Sequence, residues 1–206
     1  LFLDEFPECR RDVLEPLRQP LEDGRVTISR VAGQVTYPAR FQLIAAMNPC
    51  KCGWYGTERC TCTKAAVQQY LHRLSGPLLD RIDLQVAVQP VEYAALAARG
   101  QASEEHSADI RARVLDARER QYARQGAELC NAAIPPPQLA EHCPLSADAS
   151  RMFAAAFQRL GLTARAHDRV LRVARTIADL ADSNVIEAEH LAEALQYRSL
   201  DRAAGS

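Results

Sequence analysis

Leu1-Phe2-Leu3-Asp4-Glu5 begins the chain, and its reading decides the fold. Three apolar residues running into two adjacent carboxylates read as a short buried strand that delivers acid groups to the carboxyl end of a sheet. In open α/β folds, nucleotide phosphates sit at that end. There one carboxylate can hold Mg²⁺ and the next can polarise an attacking water. Taken alone, the pair reads more readily as an exposed acidic strand end. The other half of such a site is a glycine-rich loop whose lysine reaches the phosphates. The chain carries no such loop, because its two lysines, Lys51 and Lys64, follow no Gly-x-x-x-x-Gly pattern. The sequence is therefore expected to be the carboxyl-terminal part of a larger protein, starting at the strand that bears Asp4.

Composition sets the outer bounds. A chain of 206 residues fits one large or two small domains. A hydrophobic content of 48% supports packed cores and argues against disorder. No apolar run approaches the ~20 residues needed to cross a bilayer. No secretory leader is visible, although a chain that starts mid-protein could not show one, and the expected location is cytoplasmic. With Lys and Arg totalling 25 against 26 Asp and Glu, the net charge is −1 and there is no global basic field. A ring-shaped assembly can nonetheless carry a basic pore inside neutral subunits.

The residue pattern divides near position 100. Residues 1–92 alternate strand and helix signals. After Leu1–Leu3, Pro7 opens a helix carrying Val13, Leu14, Leu17 and Leu21, which Asp23-Gly24 ends. Val26–Ser29 and Val35–Tyr37 alternate around Ala32-Gly33 and predict a hairpin with Arg30 near its tip. Phe41–Met47 and Ile82–Val88 read as further buried strands, and residues 91–103 as a connecting segment. Residues 93–206 are otherwise helical, with helices expected over Ser103–Gln125, Pro136–His142, Ala147–Leu160, Ala164–Asp182 and Glu187–Arg198. Leu162, Ala166, Val170, Val173, Ile177 and Leu180 recur at the helical period and predict one buried face. The fold class expected is α/β followed by all-α.

Seven cysteines, four of them between Cys50 and Cys62, favour metal or free thiols over a disulfide framework. Cys50-x-Cys52 and Cys60-x-Cys62 can close a tetrahedral Zn²⁺ site as four thiolates. The intervening Gly53, Gly56 and Thr57 allow a tight turn, and a segment this short has no core of its own for metal-free stability. Free thiols or two disulfides formed after purification are the alternatives, since Cys-x-Cys is less typical of zinc than Cys-x₂-Cys. Cys9, Cys130 and Cys143 are scattered and read as structural. The five histidines show no metal or nucleophile spacing.

Five motifs occur in order: Leu3-Asp4-Glu5-Phe6-Pro7-Glu8, Leu21-Glu-Asp-Gly24-Arg-Val-Thr-Ile-Ser29, Ala45-Ala-Met-Asn48-Pro49, Leu78-Leu-Asp-Arg81-Ile-Asp83, and Leu171–Leu180 with Ala194–Arg198. Together with the cysteine insert they resemble the magnesium-chelatase-like ComM/YifB family of AAA+ ATPases, over nearly the whole chain. The resemblance implies the carboxyl-terminal half of an AAA+ core, a partial parallel sheet with an inserted hairpin, followed by a helical lid. Asp4 and Glu5 match the Walker B pair, with Asp4 as the Mg²⁺ ligand and Glu5 as the group that orients water. Asn48 matches sensor 1; its plainer role is a turn residue before Pro49. Arg81 matches the arginine finger acting on a neighbouring subunit's nucleotide; its plainer role is an ion pair with Asp80 or Asp83. Arg165 matches sensor 2, although Arg165, Arg169 and Arg172 on one helical face also suit a solvated surface.

The hairpin at Gly24–Ala39 matches one that faces the ring pore, where Arg25 or Arg30 would meet a DNA backbone. The implied assembly is a homo-oligomeric ring, a hexamer, with ATP and Mg²⁺ bound at subunit interfaces and with DNA remodelling, as helicase or branch-migration activity, as its work. The alternative is the motor subunit of a magnesium chelatase acting on a partner enzyme.

Overall fold

The computed structural model describes residues 1–31, 33–89, 91, 93, 105–126 and 129–198. Ala32 at the hairpin tip, most of the 91–103 connection and the expected helix start at Ser103 lie outside the described residues. The chain forms two compact units, one over Leu1–Ile82 and one beginning at Asp83.

In the first unit, β1 (Phe2–Leu3) pairs in parallel with β4 (Ile44–Ala45), Phe2 opposite Ile44 and Leu3 opposite Ala45. The ladder extends past both strands. The Ile44 and Ala46 N–H groups donate to Leu1 O and Leu3 O, and the Phe6 N–H donates to Ala46 O, each at 2.9 Å. The expected strand over Phe41–Met47 is thus only Ile44–Ala45. It is not buried either, for Ile44 is 55% exposed. The physical reason is that β4 has a ladder partner on one side alone among the described residues.

Between the two strands the expected single helix is broken. Pro7 and Pro16 open two short 3₁₀ turns, Phe6–Glu8 and Glu15–Leu17, around the helices Arg11–Leu14 and Arg18–Asp23. Proline cannot donate the N–H that would carry one helix through. Gly24 ends the run at φ 64°, a left-handed conformation that favours glycine, and a side chain there would also push Arg40 Cγ, 2.9 Å away, aside. β2 (Arg25–Arg30) and β3 (Gly33–Pro38) form the predicted antiparallel hairpin, closed at its base by the Ala39 N–H donating to Gly24 O at 2.8 Å. Helices Lys64–Leu71 and Gly76–Leu79 complete the unit, N-capped by Thr63 and Ser75.

An unexpected feature lies where the first unit ends and the second begins. Ile82–Val88 forms no strand. Gln85 is buried and its N–H donates to Tyr197 O at 2.9 Å, while Leu84, Val86 and Val88 are exposed. The period-2 alternation is present, but a strand also needs a neighbouring strand, and the described residues supply only the end of a helix. Helices Ser107–Gln125, Leu139–His142, Ala147–Leu160, Ala164–Leu180 and Ala188–Gln196 follow. Their core gathers Phe153, Val170, Ala174, Ala178, Ile186 and Leu191. Burial of such side chains stabilises the unit by roughly 1.5–3 kcal/mol for each large one.

On helix Ala164–Leu180 the buried face runs through Ala166, Val170, Ala174 and Ala178, and also through Arg175 and Asp179. Val173 and Ile177 are only partly buried, and Leu180 is 48% exposed. The apolar pattern missed this rotation because it treats charged residues as outward. Here Arg175 and Asp179 pair with each other, and Arg124 and Asn131 close on the same carboxylate.

Candidate nucleotide and metal site

The β1–β4 ladder sends two segments off the same end of the sheet. Asp4 and Glu5 follow Leu3, and Asn48 follows Ala45 by a short loop. All three are exposed. Asp4 Oδ1 accepts the Glu5 N–H at 2.8 Å. Glu5 itself sits at φ 48°, a left-handed conformation that costs a non-glycine residue about 1 kcal/mol or more. The strain is held from the next residue, since Phe6 is buried and its N–H is fixed to Ala46 O. The left-handed turn at Glu5 ends the strand directly after Asp4. An acidic pair and a neutral amide at the carboxyl end of parallel strands can bind a divalent cation and orient a water.

Arg81 lies in the same unit, 9% exposed. It donates to Pro77 O at 2.6 Å and pairs with Glu22, and its Nε is buried without a hydrogen-bond partner. Neither Asp80 nor Asp83 takes the ion pair expected from sequence. Asp83 pairs instead with Arg169. Glu22 was missed because it stands 59 residues from Arg81 in the chain, and no local spacing signals it.

The three arginines of helix Ala164–Leu180 separate. Arg165 is exposed, Arg169 holds Asp83, and Arg172 donates from Nε and Nη2 to Ile134 O at 3.0 and 2.9 Å. Burial lowers the Arg172 pKa, so this member is a structural clamp and not a solvated row. Arg165 belongs to the second unit, and Asp4, Glu5, Asn48 and Arg81 belong to the first. Arg25 and Arg30 are exposed at the base and tip of the hairpin, Arg25 opposite Pro38 and Arg30 opposite Gly33.

The four cysteines converge. The sulfurs of Cys50, Cys52, Cys60 and Cys62 all lie within 4.8 Å of one another, with Cys50···Cys52 at 3.3 Å, Cys52···Cys60 at 3.7 Å and Cys50···Cys60 at 3.9 Å. Tetrahedral zinc with bonds of about 2.3 Å requires sulfurs about 3.8 Å apart, so the set fits. Disulfides are absent, all four being free. Backbone N–H groups of Trp54 and Thr61, helped by Cys50, pull the Cys52 thiol down to about 6. At Cys60 the Cys62 N–H pulls the same way, but burial and the neighbouring Cys52 and Cys50 outweigh it and push the thiol up to about 11. A dication bound among the four sulfurs would favour the thiolate form of each ligand.

Comparison with known proteins follows the same outline. Residues 1–96 match the family described as magnesium chelatase, subunit ChlI, and residues 104–198 match its ChlI C-terminal family. The chain is 43% identical to the uncharacterized protein YifB of Escherichia coli and 45% identical to the competence protein ComM of Haemophilus influenzae, in each case over 98% of its length. It is 40% identical over 96% of its length to the uncharacterized protein Mb2921c of Mycobacterium bovis. It spans 39% of the length of each of these relatives. These matches make the chain a member of the magnesium-chelatase-like ComM/YifB family of AAA+-type ATPases.

Proposed function

We propose that the chain supplies the Walker B, sensor and lid parts of an ATPase that remodels DNA, active in the cytoplasm as a homo-oligomeric ring of six. The observation that carries this reading is the β1–β4 ladder, from whose one end Asp4, Glu5 and Asn48 all emerge. Asp4 holds Mg²⁺, which draws charge from the ATP phosphates when bound. Glu5 orients the attacking water, and its strained backbone favours a fixed carboxylate direction. Asn48 donates to the γ-phosphate without adding charge.

Arg81 is the finger that meets the neighbouring subunit's nucleotide, and the unpaired Nε supports a second seat for it, since a buried donor without a partner costs about 1–3 kcal/mol. Arg165 is the lid arginine that reaches phosphate, being the exposed member of its row. Arg25 and Arg30 contact the DNA backbone by charge, without reading sequence. Cys50, Cys52, Cys60 and Cys62 hold one structural Zn²⁺, whose four thiolates leave no open position for water.

The name of the Haemophilus influenzae relative, a competence protein, favours DNA as the substrate. The family description as magnesium chelatase favours the second reading, a motor subunit that remodels a metal-inserting partner enzyme. Steady-state ATPase of the full-length protein separates them. Stimulation several-fold by single-stranded DNA is expected from the first reading. A rate indifferent to DNA removes it.

A further inference from the structure

The segment around the four cysteines carries side chains that the metal does not need. Trp54, the single tryptophan of the chain, is 45% exposed, and Tyr55 beside it is 51% exposed. They sit on a built turn. The Thr57 N–H donates to Trp54 O at 3.0 Å, the Thr57 hydroxyl donates to the same oxygen at 2.8 Å, and Gly56 takes the positive φ of 87° that the third turn position demands. The turn is tied on to Cys60, whose N–H donates to Thr57 O at 3.1 Å. The aromatics are therefore displayed by a short rigid loop, not left over from a core. Cations lie close to them in the chain. The Arg59 guanidinium lies 5.0 Å from the Trp54 ring centroid, and Lys51 and Lys64, the only lysines of the chain, flank the loop. All three are exposed, against one acid, Glu58.

We infer that this loop is a second DNA contact, separate from the hairpin, which binds single strands by stacking unpaired bases on Trp54 and Tyr55 while Lys51, Arg59 and Lys64 meet the phosphates. Exposed aromatic rings beside cations are the chemistry of sequence-tolerant single-strand binding. A protein-docking patch would instead be depleted of lysine. Stacking needs free base faces, so the loop favours single strands over duplex. The inference rests on the DNA reading proposed above.

The test is fluorescence anisotropy of a labelled oligothymidylate, titrated with the zinc-loaded full-length protein and its Trp54→Ala and Trp54→Phe variants. Each aromatic–base stack is worth about 1–3 kcal/mol, so Trp54→Ala is expected to weaken binding roughly 5- to 150-fold. Trp54→Phe, which keeps a ring, is expected to stay within about threefold of the wild type, and a labelled duplex is expected to change less than the single strand. Zinc content and elution volume should match the wild type in both variants. Equal affinity for Trp54→Ala and wild type overturns the inference and leaves the DNA reading standing. A variant that alters the assembly's elution volume overturns it in favour of a subunit contact. If the wild type binds no oligothymidylate, the DNA reading falls and this inference with it.

Discussion

Glu22 and Arg81 form an ion pair across 59 residues of sequence, with the arginine side chain 7% exposed and the glutamate 36% exposed. Removing the carboxylate leaves a buried guanidinium with Pro77 O as its remaining acceptor among the described residues. Glu22→Ala is therefore expected to destabilise the first unit by about 1–3 kcal/mol, less than the loss for a fully buried pair because Glu22 is partly solvated. Thermal unfolding of the full-length protein reads it. An unchanged midpoint would show that the pair contributes nothing.

Asp179 is 3% exposed and binds Arg175, Arg124 and Asn131 at once. Asp179→Ala takes the carboxylate from two guanidinium groups, leaving Arg175 on the Ser183 and Asn184 carbonyls and Arg124 on Asn131 Oδ1, and is expected to cost about 3–5 kcal/mol. Urea unfolding should place its midpoint far below that of Asp148→Ala, whose own arginine pair is solvent-exposed and worth about 0–1 kcal/mol.

Burial pushes the Cys143 thiol up to about 11. A raised thiol pKa means that the folded state keeps a proton that the unfolded state gives up near 9. Its contribution is fully present below about 9 and is lost as pH rises toward about 11, up to roughly 2–3 kcal/mol by linkage. Cys143→Ala should flatten that alkaline decline in unfolding free energy. The decline persisting unchanged in the variant would assign it to other groups.

One Zn²⁺ per chain is expected in protein purified without chelator, by elemental analysis. Because thiolates are the ligands, metal is expected to leave as pH falls. Cys60→Ser should lower zinc content and loosen the insert without altering Asp4 and Glu5. Metal-free protein with all four thiols open to a thiol reagent would leave the insert an ordinary loop.

Much of this was legible in the sequence, and the gaps have causes. The hairpin was readable because alternation and the Asp23-Gly24 stop are local. The helices Ala147–Leu160 and Ala164–Leu180 were readable because Ser146 and Thr163 cap them and the apolar period is long. The strand at Ile82–Val88 failed because pairing is a property of two segments and the alternation reports only one. The Glu22–Arg81 and Arg175–Asp179 pairs were invisible because nothing in a charged residue's neighbours says that its partner buries it. Trp54 escaped notice for a different reason: one aromatic in a cysteine loop is a weak signal until its turn and the Arg59 contact are known.

This chain alone has no phosphate-cradling loop with its lysine, so it is expected to bind ATP·Mg²⁺ weakly or not at all by calorimetric titration. Micromolar affinity that disappears in Asp4→Ala would contradict that expectation.

The central claim is a catalytic site shared between subunits, with Asp4 and Glu5 on one side and Arg81 on the other. Mixing full-length Glu5→Gln and Arg81→Ala subunits tests it most directly. Each variant alone should be inactive in hydrolysis, the arginine variant still binding nucleotide, because a finger acts chiefly on transition-state charge. In mixed rings one type of interface carries both intact halves, so ATPase activity should return in part. No recovery, in rings shown by mass to contain both subunits, would contradict the shared site.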